Sequence, residues 1–258
     1  MILIALAALT TIVVMTIVWI ISVRLTNAGI VDVAWSAMFT LLAWLYAIGS
    51  DGWIVRRVFA ASLMTFWSLR LASHLWKRVV GHIEKEDVRY AALREKWGAR
   101  ANTKMLFFFW FQGATNVVLA VPVLLASRNA TPRLHPLELA GAALFVIAVI
   151  GESIADAQLR RFRADPANHG KVMDRGLWHY SRHPNYFFEW LVWIAWLIFA
   201  CASPYGWIAA YCPLLMLWFL YKVTGIPATE AQSLKSKGDA YRRYQQTTSA
   251  FIPWIPKP

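Results

Sequence analysis

Two stretches of the chain carry residues whose types and spacing could do chemistry. In GESIADAQLRRFRADPANHG, residues 151–170, Glu152, Asp156, Arg160 and Arg163 follow one another at spacings of four, four and three. On a helix those spacings share one face. Acids within an apolar span are costly unless they turn inward and find partners, so this face is a candidate site. A purely structural ladder of ion pairs fits the same residues. The second stretch, KVMDRGLWHYSRHPNYFFEW, residues 171–190, runs from a polar turn into an aromatic span. His183-Pro184-Asn185 breaks the chain before that span, which predicts Asn185 as an N-cap or as an amide aimed into the bundle. Glu189 follows four residues on, one turn deeper on the same face. His183 taken alone reads equally as a capping or interfacial histidine. Arginines beside carboxylates and amides make a pocket suited to a phosphorylated, anionic cofactor. The soluble dinucleotide turn G-x-G-x-x-G is absent, and no two of the 13 glycines are spaced as G-x-G. Zinc-protease, serine-elbow and P-loop motifs are absent too.

The elements that must position these residues are apolar. Hydrophobic residues make up 59% of the 258, charged ones only 16%, and the formal net charge is +12. Such a composition does not belong to a soluble monomer. Runs of spanning length at about 2–23, 29–49, 54–77, 105–127, 136–158, 185–201 and 204–223 predict an all-α polytopic membrane protein of seven transmembrane helices. Twenty of the 26 Lys and Arg lie in three segments, 77–104, 160–182 and from 222 onward. With seven spans those segments share one side, and the positive-inside rule puts them and the C terminus in the cytoplasm, the N terminus outside. The first run, with no basic residue before it, reads as a retained span rather than a signal peptide. Cys201 and Cys212 lie in apolar runs and offer neither a disulfide framework nor a metal site. Without repeat or linker, the chain reads as one domain, 1–258, and as a monomer. Most of the cations read as ordinary positive-inside residues touching membrane lipids. Nucleic acid is not an expected partner, because a basic module with stacking aromatics is missing.

The segment from Glu152 to Glu189 resembles the C-terminal half of the steroid 5-alpha-reductases, in particular their bacterial relatives. The likeness rests on Asp156, Leu159-Arg160 and Arg163, on Gly176-Leu177 followed by His179-Tyr180, and on Asn185 and Glu189. Tyr241 and Tyr244 before TTSAFIPWIP add the family's tyrosine-then-"IPF" ending. The resemblance covers about residues 140–258 well and the earlier part less. It implies an NADPH-dependent reductase that saturates a conjugated carbon–carbon double bond in a membrane lipid such as a 3-oxo-4-ene steroid, in a bacterial inner membrane. Residues 1–127 would then mainly form the substrate pocket and 128–258 the cofactor half. Carried over residue by residue, Asp156, Arg163, Asn185 and Glu189 become NADPH contacts, with Arg89 a further arginine. Tyr90, Glu152, Arg160, Tyr180, Arg182, His183, Tyr186 and Tyr244 complete the cofactor-binding set. Glu152 stands where the family often has Asn, and KSKG before Tyr241 replaces a His/Tyr-rich stretch.

The substrate end departs further. The family's Gln-Glu pair on the second helix and Tyr on the third, which hold the ketone, have no counterpart here. The second span offers Asp32 and Trp35, the third Arg70 and His74, and these four are the catalytic candidates. A buried, protonated Asp32 could donate to a carbonyl; a pairing of Asp32 with Arg70 is the competing reading. Residues 82–98 read as an amphipathic interfacial helix, which is compatible with Arg89 reaching phosphate. Two further classes stay open. Isoprenylcysteine carboxyl methyltransferases share an RHP-x-Y block and a following glutamate, here Arg182 to Tyr186 and Glu189, and bind S-adenosylmethionine. A transporter would use the buried acids for ion coupling, but should show inverted repeats that this chain lacks.

Overall fold

The computed structural model describes residues 1–81, 83–223 and 225–257; His82, at the head of the predicted interfacial helix, lies outside the described residues. Twelve α-helices follow in order, with no strand among the described residues: α1 Ile2–Leu25, α2 Ile30–Gly49, α3 Ile54–Val80, α4 Val88–Trp97, α5 Ala101–Leu119, α6 Val121–Ser127, α7 Pro136–Ala164, α8 Leu177–Tyr180, α9 Pro184–Ala200, α10 Tyr211–Trp218, α11 Ile226–Lys237 and α12 Asp239–Thr247. Contacts draw the chain into two compact units, 1–134 with 203–206, and 135–202 with 207–258.

Among the described residues, five helical stretches are long and apolar enough to cross a membrane: Ile2–Leu25, Ile30–Gly49, Val88–Ser127, Pro136–Ala164 and Gly206–Lys237. The apolar part of the last ends by Val223, so that the polar α11 continues beyond it. Two of the seven predicted spans fall short of that standard for identifiable reasons. Helix α3 holds Ser62, Thr65, Ser68, Arg70, Ser73 and His74 between Val58 and Leu75, and α9 is only 17 residues long. The predicted span 105–127 also divides, at Ala120, where Pro122 enters the first turn of α6. Helix α7 runs to Ala164, beyond the apolar part, and so carries its arginines outward on continuous helix.

In the first unit α2 packs along α3, and α1 packs on α5. Without a hydrophobic drive between helices in lipid, small and hydroxylated residues set such contacts. Ser68 shows how: its Oγ donates to the Ser36 carbonyl at 2.6 Å and accepts from the Thr40 hydroxyl at 2.9 Å. The far end is tied by a buried arginine. Arg56 is 0% exposed and donates to the backbone carbonyls of Asn129 at 2.7 Å and Thr131 at 2.9 Å, and also to that of Arg133.

In the second unit the principal pairing is α7 on α9. Gly141 permits it: a Cβ there would lie 2.8 Å from both the Ala195 carbonyl oxygen and the Phe199 nitrogen, so the two backbones touch. Helix α7 starts with a capping box, His135 Nδ1 accepting from Leu137 N–H while Glu138 Oε2 accepts from His135 N–H. Beyond the membrane part, Gly176 adopts φ +60° against the amide of Gln158, whose Oε1 accepts from Leu177 N–H at 3.0 Å. The turn into α8 is thereby fastened to α7.

Candidate active site

Helices α7 and α9 bring the central sequence candidates together. Asn185 Nδ2 donates to Asp156 Oδ1 at 3.2 Å, joining the two helices through side chains 29 residues apart. Asn185 is not the N-cap: Pro184 opens α9, His183 holds the capping position, and the Asn185 side chain is left to point at α7. Proline suits the first helical position because its missing N–H would have had no partner there. The Asn185 Oδ1 is shielded from solvent and accepts no hydrogen bond among the described residues. One turn deeper, Glu189 Oε1 accepts from Trp193 Nε1 at 3.1 Å. Glu152, one turn deeper than Asp156 on α7, is buried. Outward on the same helix Arg160 and Arg163 are exposed. The arrangement offers carboxylates, an open amide acceptor and two guanidinium groups, in order, from apolar depth to solvent.

The remaining candidates of this half do something else. The Arg182 Nε donates to Glu230 Oε1 at 2.7 Å and its Nη1 donates to the carbonyls of Gln245 at 3.0 Å and Thr248. His183, 2% exposed, places Nε2 at 3.3 Å from the same Glu230 oxygen and stacks flat on Tyr186 with ring centroids 5.3 Å apart. Tyr186 shares a hydrogen bond with Thr229 at 3.2 Å, and Gln245 donates to Glu230 Oε2 at 2.9 Å. Tyr244 donates to the Trp178 carbonyl. Tyr180 is half-exposed, its carbonyl accepting from Trp254 N–H at 2.9 Å. Arg182, His183, Tyr186 and Tyr244 thus bracket α11, α12 and the C-terminal segment onto α8 and the start of α9. Sequence reasoning missed Glu230, the centre of that bracket. Its only signal is being the sole acid of α11. Burial works to raise its carboxyl, but the hydrogen bonds of His183 and Arg182, the Arg182 charge and the Gln245 amide outweigh it and hold it at about 2.

In the first unit Asp32 sits in the first turn of α2, where the helix dipole favours an anion. Its Oδ2 meets Arg89 at 2.9 Å and Arg78 at 3.1 Å, and its Oδ1 accepts from Tyr90 at 2.5 Å. The competing reading, a pairing with Arg70, gives way to one with Arg78 and Arg89. Arg78 lies eight residues further along α3, about 12 Å nearer the end that faces the start of α2. Asp32 is accordingly engaged by two cations and a tyrosine rather than isolated beside a lipid pocket. Arg89 also meets Asp87 through Nε at 2.9 Å. Burial tends to raise the Asp87 carboxyl, but the Arg89 hydrogen bonds and the charges of Arg89 and Arg78 bring it below its ordinary range. Ala28 N–H donates to Glu86 at 2.8 Å and Arg94 pairs with Glu86 at 2.9 Å, so α4 and the turn before it are latched to the α1–α2 turn. Trp35 donates to Thr115 at 2.9 Å, which ties α2 to α5. Arg70 and His74 sit half-buried one turn apart on α3. Arg89 and Tyr90 thus belong to the first unit, the other cofactor candidates to the second. Among the described residues, no group of three His, Cys, Asp or Glu could hold a metal ion.

An uncharacterised protein of Schizosaccharomyces pombe, C594.04c, is 25% identical over 273 residues, covering 92% of this chain and 76% of the yeast protein. No solved structure matches the chain. The family model described as "Protein of unknown function (DUF1295)" matches residues 18–248, from within α1 to just past α12, and the chain belongs to that family.

Proposed function

We propose that the protein crosses the membrane seven times with its C terminus in the cytoplasm, and that it reduces a conjugated carbon–carbon double bond in a membrane lipid at the expense of NADPH. A 3-oxo-4-ene steroid is the substrate class that the resemblance to the steroid 5-alpha-reductases suggests. The observation that carries the reading is the Asp156–Asn185 bond between α7 and α9, with the shielded Asn185 Oδ1 still open as an acceptor. A buried amide oxygen without a partner is costly, and a bound molecule that donates to it would recover that cost. Asn185, Asp156 and Glu189 would hold the sugar and base portions of the cofactor, and Arg160 and Arg163, on the outward continuation of α7, its phosphates. When bound, NADPH supplies the hydride for the β carbon of an enone. The chain's own residues orient the cofactor and shield it from water. On this reading Arg182 and His183 act through Glu230, by fixing where α9 begins, and are positioning residues.

A second reading is S-adenosylmethionine-dependent methyl transfer, favoured by Arg182-His183-Pro184-Asn185-Tyr186 followed by Glu189. Two exposed guanidinium groups on one helix suit a polyphosphate better than a zwitterion. Titration of the purified protein with NADPH and, separately, with S-adenosylmethionine distinguishes the two. The expected result is NADPH binding that Asn185→Ala and Arg163→Ala both weaken, and NADPH oxidation on addition of progesterone or testosterone. Absence of NADPH binding, or binding of S-adenosylmethionine alone, refutes the reductase.

A further inference from the structure

Residues 251–257 form a non-helical segment that is held at three points. The buried Phe251 ring packs against Phe187, Trp190 and Tyr221, with centroids 5.7, 5.8 and 5.4 Å away. Trp254 N–H donates to the Tyr180 carbonyl at 2.9 Å, and Lys257 N–H to that of Thr247 at 2.8 Å. Between these ties the apolar side chains turn outward: Ile252 is 58% exposed, Trp254 72% and Ile255 77%. Tyr180, Pro253, Trp254 and Ile255 line an open recess of about 200 Å³, below the about 300–1,000 Å³ of small-molecule sites.

An exposed apolar patch of this kind marks a contact with a membrane or a partner, and three features favour lipid. Backbone that enters the headgroup–acyl boundary must leave few N–H groups unpaired. Here Pro253 and Pro256 have none, and those of Trp254 and Lys257 are bonded. The patch also continues an exposed apolar face. Leu214, Trp218 and Tyr221, on successive turns, are 67%, 53% and 40% exposed within the apolar stretch Gly206–Lys237. The Tyr221 ring carries that face onto Phe251. Lys222, next to Tyr221, and Lys257 are exposed cations that suit lipid phosphate, and Trp with neighbouring Lys is the pattern of a membrane–water interface. We propose that residues 252–257 are an interfacial anchor: Ile252, Trp254 and Ile255 enter the headgroup–acyl boundary of the cytoplasmic leaflet, and Lys257 stays on lipid phosphate. Through the bonds to Tyr180 and Thr247 that contact holds α8 and α12 at the membrane surface. The proposal rests on α9 and α10 crossing the membrane, as proposed above, and not on the reductase reading.

The test uses the full chain in nanodiscs of phosphatidylcholine and phosphatidylglycerol, with an environment-sensitive fluorophore on Ile255→Cys in a Cys201→Ser, Cys212→Ala background. Its emission should shift to the blue and resist quenching by iodide. Lipids spin-labelled near the headgroup should quench it more than lipids spin-labelled at the chain end. The same fluorophore on Lys235→Cys, at an exposed position of α11, should be open to iodide. Trp254→Glu places a charge in the anchor and should open the Ile255 label to iodide. Leu214→Cys reports the span by itself: seven residues before Tyr221, it lies about 10 Å deeper along the axis, and the chain-end spin label should quench it most. The anchor is overturned if iodide quenches the Ile255 label as much as the Lys235 label, or if Trp254→Glu leaves its quenching unchanged. Protection from iodide without quenching by either lipid also overturns it, in favour of a protein partner such as a second copy of the chain. A Leu214 label that no lipid quenches refutes the crossing of α10 and the anchor with it. A Leu214 label at depth beside a water-exposed Ile255 label refutes the anchor alone.

Discussion

Replacement of Glu230 by Gln should release the C-terminal helices from the rest of the second unit. Glu230 takes hydrogen bonds from Arg182 at 2.7 Å, Gln245 at 2.9 Å and His183 at 3.3 Å, and its side chain is only 15% exposed. A carboxyl held at about 2 instead of 4.5 contributes about 3 kcal/mol at neutral pH, at about 1.36 kcal/mol per pKa unit. A similar figure, about 3–5 kcal/mol, is reached from the other side, because Gln leaves the Arg182 guanidinium, 10% exposed, without its counter-charge. The sign of the pH dependence follows from the depressed value. The contribution is fully present above about 4.5 and is lost as the pH falls towards about 2. Hydrogen exchange followed by mass spectrometry reads the effect locally. Protection over residues 226–247 should drop by about 100-fold in Glu230→Gln at neutral pH, as about 3 kcal/mol implies. In the parent the same segment should lose protection between about pH 4.5 and 2, and in the variant this acid-dependent loss should be absent. Protection within a factor of two of the parent, or an unchanged acid profile, would refute the role assigned to Glu230.

Gly141→Ala should lower thermal stability by about 1–3 kcal/mol, since the new methyl meets backbone of α9 rather than a side chain that can turn away; an unchanged melting temperature in detergent would contradict the backbone contact. Tyr244→Phe removes the donor to the Trp178 carbonyl and should cost about 1–2 kcal/mol by the same assay, without altering the acid profile of Glu230. Asp32→Asn should increase hydrogen exchange in α4, because Arg78 and Arg89 lose their shared carboxylate; an effect on turnover with exchange unchanged would instead return Asp32 to the chemistry. For the orientation, a cysteine in place of Lys257 should react with an impermeant maleimide only from the cytoplasmic side, and one in place of the exposed Ala130 only from the outside. Reaction of both from one side would rule out the seven-span topology.

What the sequence made legible follows the range of the interactions. The blocks that became α1, α2 and α7 are local signals of composition, and their helices stand within a few residues of the predicted runs. The shared face of Asp156 and Arg163, and the approach of Asn185 to it, follow from helical spacing plus the packing of α7 on α9. The partners of Asp32 were not legible. Arg78 and Arg89 reach it from helix ends 46 and 57 residues away, and only the folded position of α4 chooses them over Arg70. The Arg182–Glu230 bond, across 48 residues, is of the same kind. Of the two places expected for Asn185, cap or inward amide, it takes the second, because Pro184 opens α9 and leaves the capping position to His183. Helix α3 divides the composition signal from the fold: it is long enough to span, and its stretch from Val58 to Leu75 holds only one charge, Arg70, but Ser62, Thr65, Ser68, Ser73 and His74 dilute its apolar residues.

Arg56 secures the loop that contains Asn129, Thr131 and Arg133 through their main-chain oxygens. Every residue type carries such an oxygen, so the exposed side chains of Thr131 and Arg133 are free to drift in evolution, or to be exchanged for reporter residues, while the path stays fixed; Asn129 is not, because its buried amide accepts from Thr131 N–H and donates to Ser203. The constraint falls instead on a single position in the first turn of α3, on Asn129, and on the loop's length. An insertion that shifts the register of those three oxygens should be far more damaging than replacing the side chains of Thr131 and Arg133 together.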